Sequence, residues 1–240
     1  MTCAIGLGGR YMLRGVHSIE IKKSVHQIIQ TAKVELPLSV MIRNNEMLER
    51  IKLADKIKEG DAISLAFGYD GNNKTEFTGY IKRINPKQPL ELECEDEMYL
   101  LRKLSLKKSF KKNDVREVLQ YLVDEVYKAF RVRLKLYDDM PKVTVTNFLI
   151  KGANGIAVLQ ELSDKYLLAS YLTTINNEKV LYCGLTYGLK KGRVKHVLNR
   201  NTISIDDLKY QTAEQSYKIE IRYFLPSGQV KKYEFGDKHG

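Results

Sequence analysis

Alternation of apolar and polar residues is the main pattern between residues 15 and 97. In TAKVELPL (residues 31–38) every second residue is apolar, beginning with Ala32 and ending with Leu38, which is the period of a half-buried strand. The same period recurs in residues 17–24, 76–84 and 90–94, and in the second of these it places Phe77, Gly79, Ile81 and Arg83 on one face. Turn sequences at residues 59–61 and 70–73 separate the runs. About five short strands here predict a small barrel or a tightly closed sandwich, because closure leaves no exposed sheet edge.

The period changes after residue 96. The apolar residues then take the spacing of a helical turn, with Met98, Tyr99, Leu101 and Leu104. A longer helical stripe predicts a helix from Asn113, as its N-cap, to about Ala129. Asn154 or Gly155 is predicted to cap a second helix, and strands are predicted at residues 131–137, 142–148, 167–174 and 178–185. This order of helices and strands indicates a compact α+β unit over residues 101–190.

The last part of the chain returns to strand-like alternation. NTISIDDLKY, QSYKIEIRYF and GQVKKYEFGD supply three or four strands after residue 192, with a tight turn at residues 226–229. These strands are too few for a second domain like the first. Two interpretations stay open: they complete a sheet with the first β segment, or the chain is a fragment of a longer protein.

Composition narrows the class of protein. A hydrophobic content of 43% and a charged content of 29% are typical of a soluble globular protein. No run of residues approaches the length of a membrane-spanning helix, and the N-terminus does not resemble a signal peptide. Cys3, Cys94 and Cys183 are widely spaced and odd in number, so the sequence supports neither a disulfide framework nor a zinc site.

The net charge of +11 is unevenly distributed along the chain. Residues 1–100 hold 14 Lys and Arg against 14 Asp and Glu, whereas residues 101–150 hold 12 against 6. The excess defines a candidate basic patch for contact with a partner: Arg102, Lys103, Lys107, Lys108, Lys111, Lys112, Lys190, Lys191, Arg193 and Lys195. The patch is either a phosphate-binding surface, a solvated face or one side of a protein contact. Phe110 is the aromatic residue interleaved in its first part.

Residues for catalysis or metal binding are not grouped in any recognisable motif. His17, His26, His196 and His239 stand apart from other ligand types, and GLGGR (residues 6–10) and KGANG (residues 151–155) lack the spacing of a dinucleotide site. GLGGR is also not expected to follow a strand. Glu91, Glu93 and Glu95 are expected on one exposed strand face, so that replacing Glu95 by Gln together with Asp96 by Asn should leave stability unchanged. The sequence therefore predicts no enzyme, no metal and no cofactor.

Several quoted segments resemble baseplate hub proteins of contractile-tailed phages, the late control gene D family. FTGYIKRINPKQPLELECEDEMYLLRK has that family's order of an F-x-G strand, a proline turn, an acidic strand end and an M-Y-x-L helix start. SIEIKKSVHQIIQTAKVELP is similar to the family's opening strands, and VREVLQYLVDE and IKGANGIAVLQELSDKY are similar to its helical segments. The resemblance covers about residues 15–240 and includes no catalytic signature.

The resemblance implies two similar small β-barrels with an α+β insertion between them. The predicted fold class is therefore mixed β and α+β, with a first β-barrel at residues 1–100, an inserted α+β domain at 101–190 and the start of a second, incomplete β-barrel at 191–240. The implied function is a structural baseplate hub that joins the tail tube to the central spike. Its implied partners are two further copies in a homotrimer, the tail tube protein and the spike protein. It would assemble in the bacterial host cytoplasm and remain in the virion tail or a phage-like particle, without membrane insertion.

Two other functions stay open at this point. A basic barrel with this number of strands is also typical of proteins that bind nucleic acid. Tail hubs can carry cell-wall-degrading activity on fused domains, although residues 1–240 leave no spare domain for it.

Overall fold

The computed structural model describes residues 2–44, 47–176, 178–186, 218–224 and 229–236. The chain divides into two compact units, residues 1–190 and residues 191–240.

A seven-stranded antiparallel sheet forms the first part of the larger unit. Its strands are β1 (Thr2–Leu7), β2 (Tyr11–Leu13), β3 (Ser18–Lys22), β4 (Thr31–Leu36), β7 (Ala62–Tyr69), β8 (Asn72–Asn85) and β9 (Leu90–Glu95), in the order β2-β1-β7-β8-β9-β4-β3. A separate hairpin of β5 (Ser39–Asn44) and β6 (Met47–Lys52), followed by a 3-10 helix at Leu53–Asp55, lies between β4 and β7 in the chain. Sequence periodicity missed this hairpin and also β1 and β2, in which only Ile5, Leu7 and Leu13 are buried.

One apolar cluster packs against one face of this sheet. The predicted inward residues of β4 are buried, and Ile5 and Leu7 of β1 join them with no exposed surface. GLGGR follows a strand after all: it closes the β1 to β2 hairpin, with Gly8 and Gly9 at positive φ. The turn leads to a strand and not to a helix, so it lacks the helix N-terminus that a dinucleotide site uses.

A bulge in β8 changes which residues share one face of this strand. The pairing with β9 shifts between Ile81 and Arg83, which leaves Lys82 as the extra residue. Arg83 is therefore exposed, and Ile84 packs against the core cluster in its place. The prediction that Arg83 shares the face of Phe77 is wrong, because one inserted residue exchanges the two faces of a strand.

The second part of the larger unit is the α+β segment. Its elements are α1 (Met98–Lys103), β10 (Leu106–Asp114), α2 (Val115–Phe130), β11 (Lys135–Leu136), β12 (Thr144–Ala153), α3 (Gly155–Tyr166), β13 (Ala169–Ile175) and β14 (Glu178–Gly184). β10 pairs with β12, and a three-stranded sheet has the order β11-β14-β13. A second apolar cluster, from Met98 to Cys183, joins these elements.

Both long helices begin with side-chain caps. Asn154 caps α3 as predicted, and its Oδ1 accepts a hydrogen bond from Ala157 N at 2.8 Å. α2 is capped by Asp114 and not by Asn113, because Asp114 and Glu117 form a capping box. The strand predicted at residues 131–137 shortens to β11, and β10 was not predicted.

The smaller unit contains one hairpin of described strands, β15 (Lys218–Phe224) and β16 (Val230–Gly236). The strand predicted at residues 201–210 and the turn residues 226–228 lie outside the described residues. The predicted fold class of mixed β and α+β is confirmed. The two apolar clusters separate between Cys94 and Met98, whereas the division into three domains and the second barrel stay predictions.

Candidate protein-interaction surface

Four residues of the predicted basic patch lie side by side on one strand. Lys107, Lys108, Lys111 and Lys112, hereafter the β10 lysines, are all exposed. β10 is held by two buried side chains of the same strand, Leu106 and Phe110, which belong to the second apolar cluster. Lysines on both faces hide the alternation of period two, which explains why the sequence did not reveal this strand.

The β10 lysines have no acidic side chain within 4 Å among the described residues. Lysines of the first sheet differ: Lys33 Nζ lies 2.9 Å from Glu91 Oε2 and 3.6 Å from Glu35 Oε1. Lys108 instead contacts an aromatic ring, since its Nζ lies 4.5 Å from the ring centre of Tyr121 on α2. The β10 lysines therefore form no ion pair within the described chain, and Glu117 is the one acid on whose pKa the charge of Lys108 acts among the described groups.

The other residues of the predicted basic patch do not lie on β10. Arg102 forms an ion pair, with its Nη2 2.9 Å from Glu95 Oε1. Lys103 lies over the ring of Tyr99, with its Nζ 5.0 Å from the ring centre. Lys190, Lys191, Arg193 and Lys195 lie outside the described residues. Lys151, which was not predicted, pairs across the ladder with Lys107 and adds a cation to the surface.

Three consecutive acids, Glu95, Asp96 and Glu97, form what we call the acidic junction, where β9 passes into α1. Glu95 is only 2% exposed, so the expectation of an ordinary exposed strand face is wrong for this residue. Its Oε1 lies 2.9 Å from both Lys82 Nζ and Arg102 Nη2. A buried carboxylate needs such partners, because its loss of hydration is otherwise uncompensated.

Asp96 is 3% exposed and is held by backbone groups. Its Oδ2 accepts a hydrogen bond from Gln30 N at 3.2 Å, and its Oδ1 accepts one from Met98 N at 3.1 Å. Burial raises the pKa of Asp96 to about 7, and the nearby charge of Glu97 adds to the effect. The two backbone hydrogen bonds and Lys179 act in the opposite direction.

Glu97 and Gln30 connect the sheet to the α+β segment. Glu97 Oε1 accepts a hydrogen bond from Thr78 Oγ1 of β8 at 2.6 Å, and its Oε2 lies 3.2 Å from Lys179 Nζ of β14. Gln30 Nε2 donates to the carbonyl of Leu172 on β13 at 2.9 Å. The acidic junction is therefore a polar joint between the two parts of the larger unit. Three adjacent acids at a change of period were the sequence signal for it, since a strand cannot turn all three toward solvent.

In the described part of the chain, no group of three or more His, Cys, Asp or Glu side chains has an arrangement that could hold a metal ion. None of the described helices combines the length and the hydropathy that crossing a membrane requires.

Comparison with known proteins shows similarity of structure and not of sequence. No protein-family model matches the chain, and the curated proteins give no match. The 43 kDa tail protein of prophage MuSo2 from Shewanella oneidensis is similar with a TM-score of 0.55 and 15% identity, covering 100% of this chain and 69% of that one. A tail protein from Neisseria meningitidis MC58 is similar with a TM-score of 0.55 and 13% identity, covering 99% and 68%. The chain thus has the fold of these tail proteins, which confirms the family resemblance at the level of the fold.

Proposed function

We propose that this chain, which has the fold of a prophage tail protein, is a structural protein of a phage tail or a phage-like contractile particle. Within that particle it is the baseplate hub that joins the tail tube to the central spike. The role involves no chemical reaction and no cofactor. Assembly takes place in the cytoplasm of the bacterial host, and the protein then remains in the tail.

The observation that carries this proposal is the length of the structural match. Similarity to the MuSo2 tail protein extends over 100% of this chain and includes the sheet, the α+β segment and the final strands. A fold alone does not define a function. The proposal gains support because both solved structures described above are tail proteins by name, and because the sequence motifs resemble those of hub proteins.

A homotrimer that contacts the tube and the spike belongs to the proposal. The hairpin β15 to β16 places Ile219, Ile221, Tyr233 and Phe235 on one face, and Ile219 and Phe235 are 57% and 55% exposed. A two-stranded hairpin with an open apolar face is marginally stable in water. In the proposed ring, the remaining strands of a second barrel and the neighbouring copies cover this face.

The absolute mass of the purified protein in solution tests the proposed trimer most directly. We expect light scattering over a concentration and salt series to give the mass of three chains, or a monomer to trimer equilibrium. Ile219→Glu combined with Phe235→Glu should shift that equilibrium toward the monomer, because two charges would enter the apolar contact. Tyr69→Glu combined with Met12→Glu, at residues of the first sheet that are 70% and 65% exposed, serves as the matched control. A strict monomer at the highest concentration, together with no retention by the tube or spike protein of the same particle, would refute the hub role.

A further inference from the structure

The strand β10 has one edge without a strand partner. Its ladder with β12 is two-stranded, and between residues 108 and 113 the described structure pairs the backbone of β10 with β12 alone. Near its start, the hydroxyl of Tyr121 donates to the carbonyl of Lys107 at 3.4 Å. Unpaired N–H and C=O groups along an edge are a template for another strand.

Between residues 107 and 112, the charged side chains on both faces of β10 are all positive. Strand alternation places Lys107, Ser109 and Lys111 on one face and Lys108 and Lys112 on the other. Across the ladder, Lys107 faces Lys151 and Ser109 faces Leu149, which is 46% exposed. A strand added at the open edge would therefore meet Lys107 and Lys111 at alternate positions, with Ser109 between them.

Lysines on an edge strand also prevent pairing between two copies of the same strand. Prevention of self-pairing is compatible with a binding role. The positive charge that repels β10 of a second copy attracts an acidic strand. Elsewhere in the described chain, Lys33 and Lys82 have carboxylates within 3 Å, at 2.9 Å in each case. The β10 lysines have none in the described ranges, so the matching carboxylates are left for a partner to supply.

The structure favours a protein partner over nucleic acid. Phe110, the aromatic residue within the basic stretch, is 3% exposed and belongs to the apolar cluster, so it cannot stack on a base. The cations of β10 are all lysines, which lack the planar fork with which arginine binds phosphate. An open backbone edge, in contrast, pairs with an extended peptide.

We propose that the open edge of β10 accepts an extended acidic segment of a partner protein as an added strand. Carboxylates at alternate positions of that segment pair with the β10 lysines, and its backbone continues the ladder of β10 and β12. The residues of this site differ from those proposed for the trimer contact, so either proposal can fail without the other.

Peptide binding to the full chain tests this proposal. The probe is a fluorescent peptide as long as β10 that alternates glutamate with threonine. Two further versions carry N-methyl groups on one or the other alternate set of backbone amides, which keeps the charge and removes the donors. Lys107→Glu with Lys111→Glu is the test variant, and Lys56→Glu with Lys58→Glu, at exposed positions of the first part, is the control with the same change in net charge.

We expect the test variant to weaken peptide binding by at least about tenfold, because attractive cross-strand pairs become repulsive. The control variant should stay within about twofold. At least one N-methylated peptide should also bind at least about tenfold more weakly, since the edge hydrogen bonds require its amides. Light scattering should give the same mass for both variants, which separates this result from the trimer test.

Three results would overturn the proposal. Equal binding of all three peptides would mean that only charge attracts them. Equal loss in the control variant would mean that the net charge matters and not β10. Displacement of the peptide by an oligothymidine of equal charge, at equal or lower concentration, would assign the surface to nucleic acid.

Discussion

The carboxyl group of Asp96 should make the stability of this protein depend on pH near neutrality. In the folded chain its pKa is about 7, because burial at the acidic junction disfavours the charged form. In the unfolded chain an aspartate has a pKa of about 3.9. The folded state therefore holds this proton over a pH range in which the unfolded state has lost it.

The direction of the pH dependence follows from the difference between these two pKa values. The stabilising contribution of Asp96 is fully present below about pH 4 and is lost as the pH rises through about 7. Between pH 5 and pH 8 the loss in unfolding free energy is on the order of 2–3 kcal/mol from this one group. Asp96→Asn has no proton to lose, so that part of the pH dependence should disappear.

Urea unfolding at several pH values measures this contribution. The side-chain amide introduced by Asp96→Asn would keep one acceptor for the two backbone donors, Gln30 N and Met98 N, so a uniform loss of about 1 kcal/mol is expected at every pH. Asp124→Asn, on the exposed side of α2, should leave the pH dependence of the wild type unchanged. If Asp96→Asn loses stability between pH 5 and pH 8 as steeply as the wild type, the account of Asp96 is wrong.

Two further predictions concern the same region. Gly79→Ala should lower the unfolding free energy by at least about 3 kcal/mol, because the added Cβ would lie 2.0 Å from the carbonyl oxygen of Glu95 and the two strands would have to separate. Glu95→Gln should lower it by roughly 1–3 kcal/mol, since Lys82 and Arg102 lose their shared carboxylate but stay partly hydrated. Chemical denaturation followed by circular dichroism measures both.

Controls for these two predictions come from the same chain. Gly15→Ala adds a Cβ where no atom lies within 4 Å and should change stability little. Glu93→Gln, on the same strand face as Glu95 but 37% exposed, should cost less than about 1 kcal/mol. A stable Gly79→Ala variant, or equal effects at Glu93 and Glu95, would contradict the close packing and the burial described here.

Local sequence patterns were sufficient to predict several helices and strands of this protein. Alternation predicted β4 and β9, and helical spacing with polar caps predicted α2 and α3 to within a residue or two at their N-termini. The family resemblance anticipated the fold that the tail proteins share. These features depend on neighbours in the chain, and the sequence contains those neighbours directly.

The surroundings of the charged side chains, in contrast, depend on the tertiary structure. Glu95, expected to face solvent, is buried because Arg102 and Lys82 close over it, and Glu97 meets Lys179, which lies on a distant strand. The β10 lysines, in contrast, stay without acidic partners among the described residues. Burial and pairing of a charge depend on which distant elements pack against it, and the period of a strand or helix contains no information about them.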